Sequence, residues 1–540
     1  MFASGMREKT HTESTTSAGT LFSTWYNLRL RLFLESALAG LAAGMLGVAF
    51  RLALGRADAW REVLLAWARE VPGYGWAVFL PVLLALGALA GWLTRFAPEA
   101  AGSGIPHVEA VLLEQRRLVW WRLIPVKFLA GVFAIGAGLS LGREGPTVQL
   151  GAASGQAMSR ILKRSHVEER YLITCGAGAG LAAAFNAPLA GVVFVLEELR
   201  RNFSPYVFLS ALTASVAAGA AAQRLLGLRP LLPLAGIAPL PPSALPLFIL
   251  LGLITGFFGV AFNSSLSFTQ DLYARLEGLP RWLHPVLATG LAGLIGYFLT
   301  PAVLGGGHAL VEQVLAGEVL LKFIPLFLVA KFILTMVSYG SGVPGGIFLP
   351  LLAIGALLGS GLGQVADAYF PGIAGLSAMC AAAGMAAYFT AIVRAPITGI
   401  VLILELTGSY ANMLFVLAAC LTAYLVAEGL KSLPVYEMLL ERDLARGADA
   451  VPGTCPEGMM LVELTVETGS CLDRHLVREV DLPGDCLLLA IRRGSQELVP
   501  RGNTKVRAGD QVAFLIPREK AAQVIPRIRS LTLCQLEPEC

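Results

Sequence analysis

Eight stretches of this 540-residue chain contain no Asp, Glu, Lys or Arg: 71–94, 171–196, 202–223, 230–270, 282–311, 332–366, 368–393 and 406–427. A helix needs about 20 apolar residues to cross roughly 30 Å of hydrocarbon, and each stretch meets that length. The longest have room for two elements. A water-soluble helix would need a polar face that these stretches do not supply. The pattern predicts an all-α, polytopic membrane protein with lipid around it.

Composition sharpens this. Charged residues make up 14% of the chain, against about 25% in an average soluble protein, and mean hydropathy is +0.68. A purely soluble enzyme is excluded, and no enzymatic activity or cofactor is expected. The net charge of +4 is too small to imply nucleic acid as a partner. Cys175, Cys380 and Cys420 lie in apolar runs, where a thiol is a small hydrophobe. The other five cysteines are scattered from Cys455 to Cys540 without metal-ligand spacing, and the eight are not read as a disulfide framework. None of the six histidines makes a metal site by spacing.

The average conceals a boundary. From Lys431 onward 30 of 110 residues are charged, against 48 of 430 before it, so a soluble module follows the membrane region. The reading is a disordered tail at 1–27, a transmembrane domain at 28–440, a linker at 441–455 and a small α+β domain at 456–540. Arg29 and Arg31 flank the first apolar run, which favours a cytoplasmic amino terminus. In the last domain, apolar or alternating runs at 460–466, 486–491 and 511–516 suit strands, with turn signals at Pro483-Gly484, Arg493-Gly494 and Gly502-Asn503. Residues 520–528 read as a closing helix.

The membrane region repeats itself. CGAGAGLAAAFNAPLAGVVFVLE at 175–197 is echoed by CAAAGMAAYFTAIVRAPITGIVLILE at 380–405. Each copy has a small-residue helix, a break at Ala-Pro and an apolar helix ending in Glu. Glycine-rich signatures precede both, GREGPTVQLG at 142–151 and GVPGGIFLP at 342–350. Paired, interrupted hydrophobic segments in two halves point to an inverted repeat whose broken helices bring free N-termini to an ion near the bilayer midplane.

GSGIP at 102–106, GREGP at 142–146, GGIFLP at 345–350 and Tyr436 after the last apolar run together resemble the CLC family of chloride channels and chloride/proton antiporters. The likeness spans roughly residues 32–440. It implies the CLC fold, a homodimer with one pathway per subunit, chloride and protons as transported ions, and a multi-pass place in a prokaryotic inner or plasma membrane with both termini cytoplasmic. It also implies that the Ser103 and Tyr436 hydroxyls and the amides of Ile347 and Phe348 surround a central anion, with amides around Arg143 and Gly145 serving an outer one. Serine at 103 is associated in the family with chloride. Physically, helix-start amides offer partial positive charge without a counter-cation, so an anion can trade its water shell for them and still leave.

Two carboxylates complete this expectation. Glu144, inside GREGP, is costly in a membrane unless it works; ionised it competes with chloride for the amides, and protonated it swings aside. The alternative reading pairs it with Arg143. Glu198 falls where antiporters of the family carry an inner proton-passing glutamate, which favours exchange over a passive voltage- or pH-gated chloride channel. Glu197 is expected to brace the packing of neighbouring helices, the alternative being a share in the same water-accessible route, while Glu405 is expected to act structurally at a helix end and Glu109 to pair with Lys127. The carboxy-terminal stretch DLPGDCLLLAIRRGSQELVPRGNTKVRAGDQVAFLI at 481–516 resembles the TrkA-C subdomain of potassium-conductance regulators. That likeness implies dimerisation and a small-molecule ligand. It also raises a cation transporter as a third reading, against which GSGIP and GREGP argue.

Overall fold

Among the described residues seven helices are long and apolar enough to cross a membrane: Arg31–Glu70, Gly75–Thr94, Pro205–Leu226, Pro242–Ala274, Leu321–Gly340, Phe348–Tyr369 and Leu376–Val393. The computed structural model describes residues 16–71, 74–201, 203–227, 231–232, 234, 239–276, 278–369, 375–445, 459–493, 496–517 and 520–533. Their exposure differs in a way that orders the bundle. The most apolar window of Gly75–Thr94 is 28% buried, whereas that of Leu376–Val393 is 89% buried, so the latter is a core helix surrounded by protein.

Not every charge-free stretch is one span. The stretch at 171–196 is cut where Asn186 turns left-handed at φ 57°, ending His166–Phe185, and Pro188 starts a new helix, Pro188–Phe194. Asn tolerates that backbone, and Pro suits a first helical position because its missing N–H has no acceptor there anyway. The second copy breaks in the same way. Leu376–Val393 ends at Arg394, φ 70°, and Pro396–Thr407 follows. Arg394 donates to the carbonyls of Tyr424 and Ser432, both at 2.9 Å, which offsets its backbone strain.

The repeat reaches further than the motifs. Short helices Ile105–Leu112 and His308–Leu315 each follow a left-handed glycine, Gly104 at φ 88° and Gly307 at φ 98°. In each half a buried lysine holds the preceding loop. Lys127 Nζ donates to the carbonyls of Ala100 and Gly102 at 2.9 and 2.8 Å, and Lys331 Nζ to those of Val303 and Gly305 at 3.0 and 2.7 Å. Helix Glu144–Ile161 meets His166–Phe185 so closely that a Cβ on Gly151 would lie 2.1 Å from the Gly176 carbonyl. The same contact recurs between Gly355 and Gly384 O, at 2.5 Å. Such small-residue seams let helices pack where lipid gives no hydrophobic drive between them.

The chain divides into two compact units, with the break between Arg442 and Asp443. Residues 1–15 of the stretch read as a disordered tail, and 446–455 of the one read as a linker, lie outside the described residues. The described parts of both stretches are helical, within Thr16–Glu70 and Val435–Ala445.

In the second unit, strands β1 (Met459–Thr465), β2 (Leu487–Arg493), β3 (Gln496–Leu498) and β4 (Gln511–Pro517) form an antiparallel sheet in the order β1-β4-β2-β3. Helix Ala521–Thr532 packs Ile525 and Ile528 into a core with Ile491, Val512, Phe514 and Ile516. Asp510 receives two bonds from Arg493, at 2.8 and 2.7 Å. Burial alone would raise its carboxyl, but Arg493 holds it below the usual carboxylate range. One expectation is corrected here: Cys471 is disulfide-bonded, which spacing alone did not suggest, while Cys486 carries a free thiol.

Candidate functional site

Backbone hydrogen bonds stitch the three glycine signatures together. Gly142 N–H donates to Gly346 O at 2.6 Å and Gly346 N–H to Gly142 O at 2.8 Å, while Gly345 N–H donates to Gly102 O at 3.0 Å and Gly102 N–H to Val343 O at 3.2 Å. The starts of helices Ile105–Leu112, Glu144–Ile161 and Phe348–Tyr369 therefore meet. Glycine is required at this junction. A Cβ on Gly145 would lie 2.5 Å from Ser103 Oγ, and one on Gly346 would lie 2.9 Å from Gly145 N. The first amides of each helix have no intrahelical acceptor, so the junction gathers unspent donors.

Side-chain atoms at the junction are unspent as well. Ser103 Oγ, Tyr436 Oη, Arg143 Nε and both carboxylate oxygens of Glu144 are buried without a hydrogen-bond partner. Such orphans cost about 1–3 kcal/mol each, more when charged, and call for an explanation. The alternative reading of Glu144 is met as an ion pair, with Arg143 Nε 3.9 Å from Oε1, but that distance is beyond hydrogen-bond reach and leaves these atoms without a hydrogen bond. A Cβ on Gly142 would lie 2.2 Å from Glu144 Oε2 and 3.1 Å from Leu349 N, so the carboxylate rests close to an amide in the first turn of Phe348–Tyr369. Two hydroxyls, convergent helix starts and a guanidinium are donors of the kind a small anion takes, and a carboxylate leans in among them.

The remaining expected residues fall beside these. Ile347 and Phe348 are fully buried, and the Phe348 ring packs on Phe185 and Phe389 with centroids 5.2 and 4.4 Å apart. Tyr436 begins the first turn of Val435–Ala445 and lies within electrostatic reach of both Glu144 and Glu198. The expected Glu109–Lys127 pair is not formed. Lys127 donates to three carbonyls, the third being Ser103 O at 3.3 Å, and so fixes the loop that presents the Ser103 hydroxyl. Tyr388 Oη is a further buried orphan; it lies within the second repeat segment, 380–405, where no spacing signal marks it out.

Glu198 is 3% exposed and sits in a π-helical turn, Val195–Leu199, closed by Arg200 N–H on Val195 O at 2.9 Å. Such turns insert one residue and recur at functional sites. Here the turn separates neighbours: Glu198 is buried, while Glu197 reaches the start of Pro396–Thr407. Glu197 accepts from Ile397 N–H at 3.0 Å, Thr398 N–H at 2.7 Å and Thr398 Oγ1 at 2.7 Å. Glu405 returns the contact, accepting from Leu189 and Ala190 N–H at 3.1 and 2.7 Å. Each broken helix is thus capped by the glutamate that ends the other. We expect Glu197→Ala to cost roughly 1–2 kcal/mol, seen as a lowered Tm of the purified protein; an unchanged Tm would refute the bracing role. Among the described residues no His, Cys, Asp and Glu cluster is arranged to hold a metal ion.

Comparison with known proteins bears on this arrangement. Residues 86–428 match the family profile described as a voltage gated chloride channel, and residues 461–529 match the TrkA-C domain. An H(+)/Cl(-) exchange transporter ClcA of Yersinia pestis is 39% identical over 434 residues, covering 78% of this chain and 89% of that protein. That of Cronobacter sakazakii is 40% identical over 428 residues, covering 77% and 91%. Among solved structures, a slow cyanobacterial Cl-/H+ antiporter superposes with a TM-score of 0.74 at 35% identity, covering 78% of this chain and 99% of that one. A CLC-type fluoride/proton antiporter gives 0.62 at 26%, covering 75% and 97%. With the family profile spanning most of the chain and relatives near 40% identity over more than three quarters of it, this protein belongs to the CLC family of chloride transporters and carries a TrkA-C domain after its membrane region.

Proposed function

We propose that the protein is a chloride/proton antiporter, moving chloride in exchange for protons across a membrane. The observation that carries this is Glu144: fully buried, without a hydrogen-bond partner, and leaning toward a helix-start amide beside Ser103 and Gly145. An ionised carboxylate competes with chloride for the same amides, whereas a protonated one gives up the place and carries a proton with it. Exchange follows from that mutual exclusion. The relatives named above are exchangers, which favours this reading over a passive channel of the same fold.

In this mechanism Ser103, Tyr436 and the amides of Ile347 and Phe348 hold the central chloride. The amides around Arg143 and Gly145 hold an outer one, and Arg143 itself raises the local potential. Glu198 relays protons between the inner solution and Glu144. Serine at 103 favours chloride over fluoride or nitrate. The protein works as a homodimer in a prokaryotic inner or plasma membrane, with both termini cytoplasmic and a small-molecule ligand read by the TrkA-C domain. Purified protein in liposomes under an imposed chloride gradient is expected to move protons against their own gradient. Chloride flux without proton movement would leave the channel reading instead.

A further inference from the structure

One guanidinium links the parts that this mechanism must coordinate. Arg201 Nη2 stands 3.8 Å from Glu109 Oε1 and 3.7 Å from Glu198 Oε1, and its Nη1 pairs with Glu437. The three carboxylates come from three different elements. Glu109 lies on Ile105–Leu112, the helix that opens two residues after Ser103; Glu198 lies in the π-helical turn; Glu437 follows Tyr436 on Val435–Ala445. Arg201 itself takes a left-handed φ of 48°, uncommon for a residue with a side chain, and this brings its head back over the turn it has just left.

We infer that Arg201 is a positioning residue that couples the proton on Glu198 to the narrowing of the inner end of the anion path, by tying Glu198 to the helix that follows Ser103 and to the one bearing Tyr436. This rests on the reading of Glu198 as the inner proton acceptor and of Tyr436 as lining the path. The charges facing Glu198 are Arg201, Glu109 and its neighbour Glu197, with the Tyr436 hydroxyl also in reach. When Glu198 is ionised, one guanidinium is shared among three carboxylates. When Glu198 takes a proton, the guanidinium is left to Glu109 and Glu437, and the two path helices are drawn together. The inner end is then narrowed while a proton is in transit, so chloride slips past without exchange less readily.

The test compares chloride and proton fluxes of the full chain in liposomes for wild type, Arg201→Gln, Arg201→Lys and the charge-reversed pair Arg201→Glu with Glu437→Arg. We expect Arg201→Gln to lower the number of protons moved per chloride by about fivefold or more, the scale of a coupling between two linked sites, while chloride continues to flow. Arg201→Lys keeps the charge and should retain most of the ratio, and the reversed pair should recover at least half of it. An unchanged ratio in Arg201→Gln overturns the proposal, and so does an equal loss in Arg201→Lys or no recovery in the reversed pair. Should Arg201→Gln fail to fold, Glu437→Gln breaks the same link from the other helix, and an unchanged ratio there overturns it equally. Glu198→Gln, measured alongside, separates the two readings: if it abolishes proton flux while the Arg201 variants leave the ratio intact, the relay stands and the coupling falls.

Discussion

Replacing Glu144 with alanine should turn coupled exchange into free chloride flow that no longer responds to pH. The carboxylate is placed against the amides that start Phe348–Tyr369, close to Leu349 N, and alanine neither occupies that position nor carries a proton out of it. Proton flux should fall by about 100-fold or more, the usual scale for loss of a positioned acid–base group. Chloride flux should persist, because Ser103, Tyr436 and the helix-start amides remain. In the wild type the open fraction changes about tenfold per pH unit along the flank of a single carboxylate titration; in the variant that dependence should flatten. Chloride efflux from liposomes across a pH series measures both. A Glu144→Ala protein that still pumped protons against their gradient would remove Glu144 from the mechanism, and a retained pH dependence would place the gate on another group.

Apolar patterning carried most of the fold, because lipid forbids an exposed unpaired backbone and so forces long charge-free helices. The repeat was visible too, since Ala-Pro breaks and glycine signatures are local signals. Contacts between distant segments were not. Lys127 at a helix middle reads as a partner for Glu109 nearby on the chain, yet it serves the carbonyls of Ala100, Gly102 and Ser103, which no spacing rule singles out. The π-helical turn at Val195–Leu199 was equally hidden, because Glu197 and Glu198 look interchangeable until one inserted residue sends them to different neighbours. In the second unit the three longer strands followed from alternation, whereas β3, three residues long, has too few positions to show a period.

The candidate anion site is legible in a different way. Its residues are proposed through a family resemblance attached to short motifs, and the physical reasons for them lie in geometry that the motifs only index. GREGP and GGIFLP are distant in the chain, and only the reciprocal bonds of Gly142 and Gly346 show why both need glycine. Segments pressed that closely leave no volume for a side chain on Gly145 beside Ser103 Oγ.

Glu198→Gln should separate the two ions. Glutamine keeps the size and most of the polarity of glutamate but does not take up a proton for relay, so proton flux should drop by about 100-fold while chloride still passes Ser103 and Tyr436. The surrounding structure should tolerate the change, because Arg201 keeps Glu109 and Glu437 as partners and the charge removed is one of three acids crowding one guanidinium. Glu197→Gln is the matched control one residue away. Glu197 is spent on capping Pro396–Thr407 through Ile397 and Thr398, so its loss should appear in stability and leave the proton-to-chloride ratio in place. Simultaneous flux measurements on the two variants decide the matter. If Glu198→Gln retained the ratio and Glu197→Gln lost it, the roles given to the neighbours by the π-helical turn would be reversed. If both retained it, the inner proton acceptor would have to be sought among the other two carboxylates on Arg201, Glu109 at the Ser103 helix and Glu437 beside Tyr436.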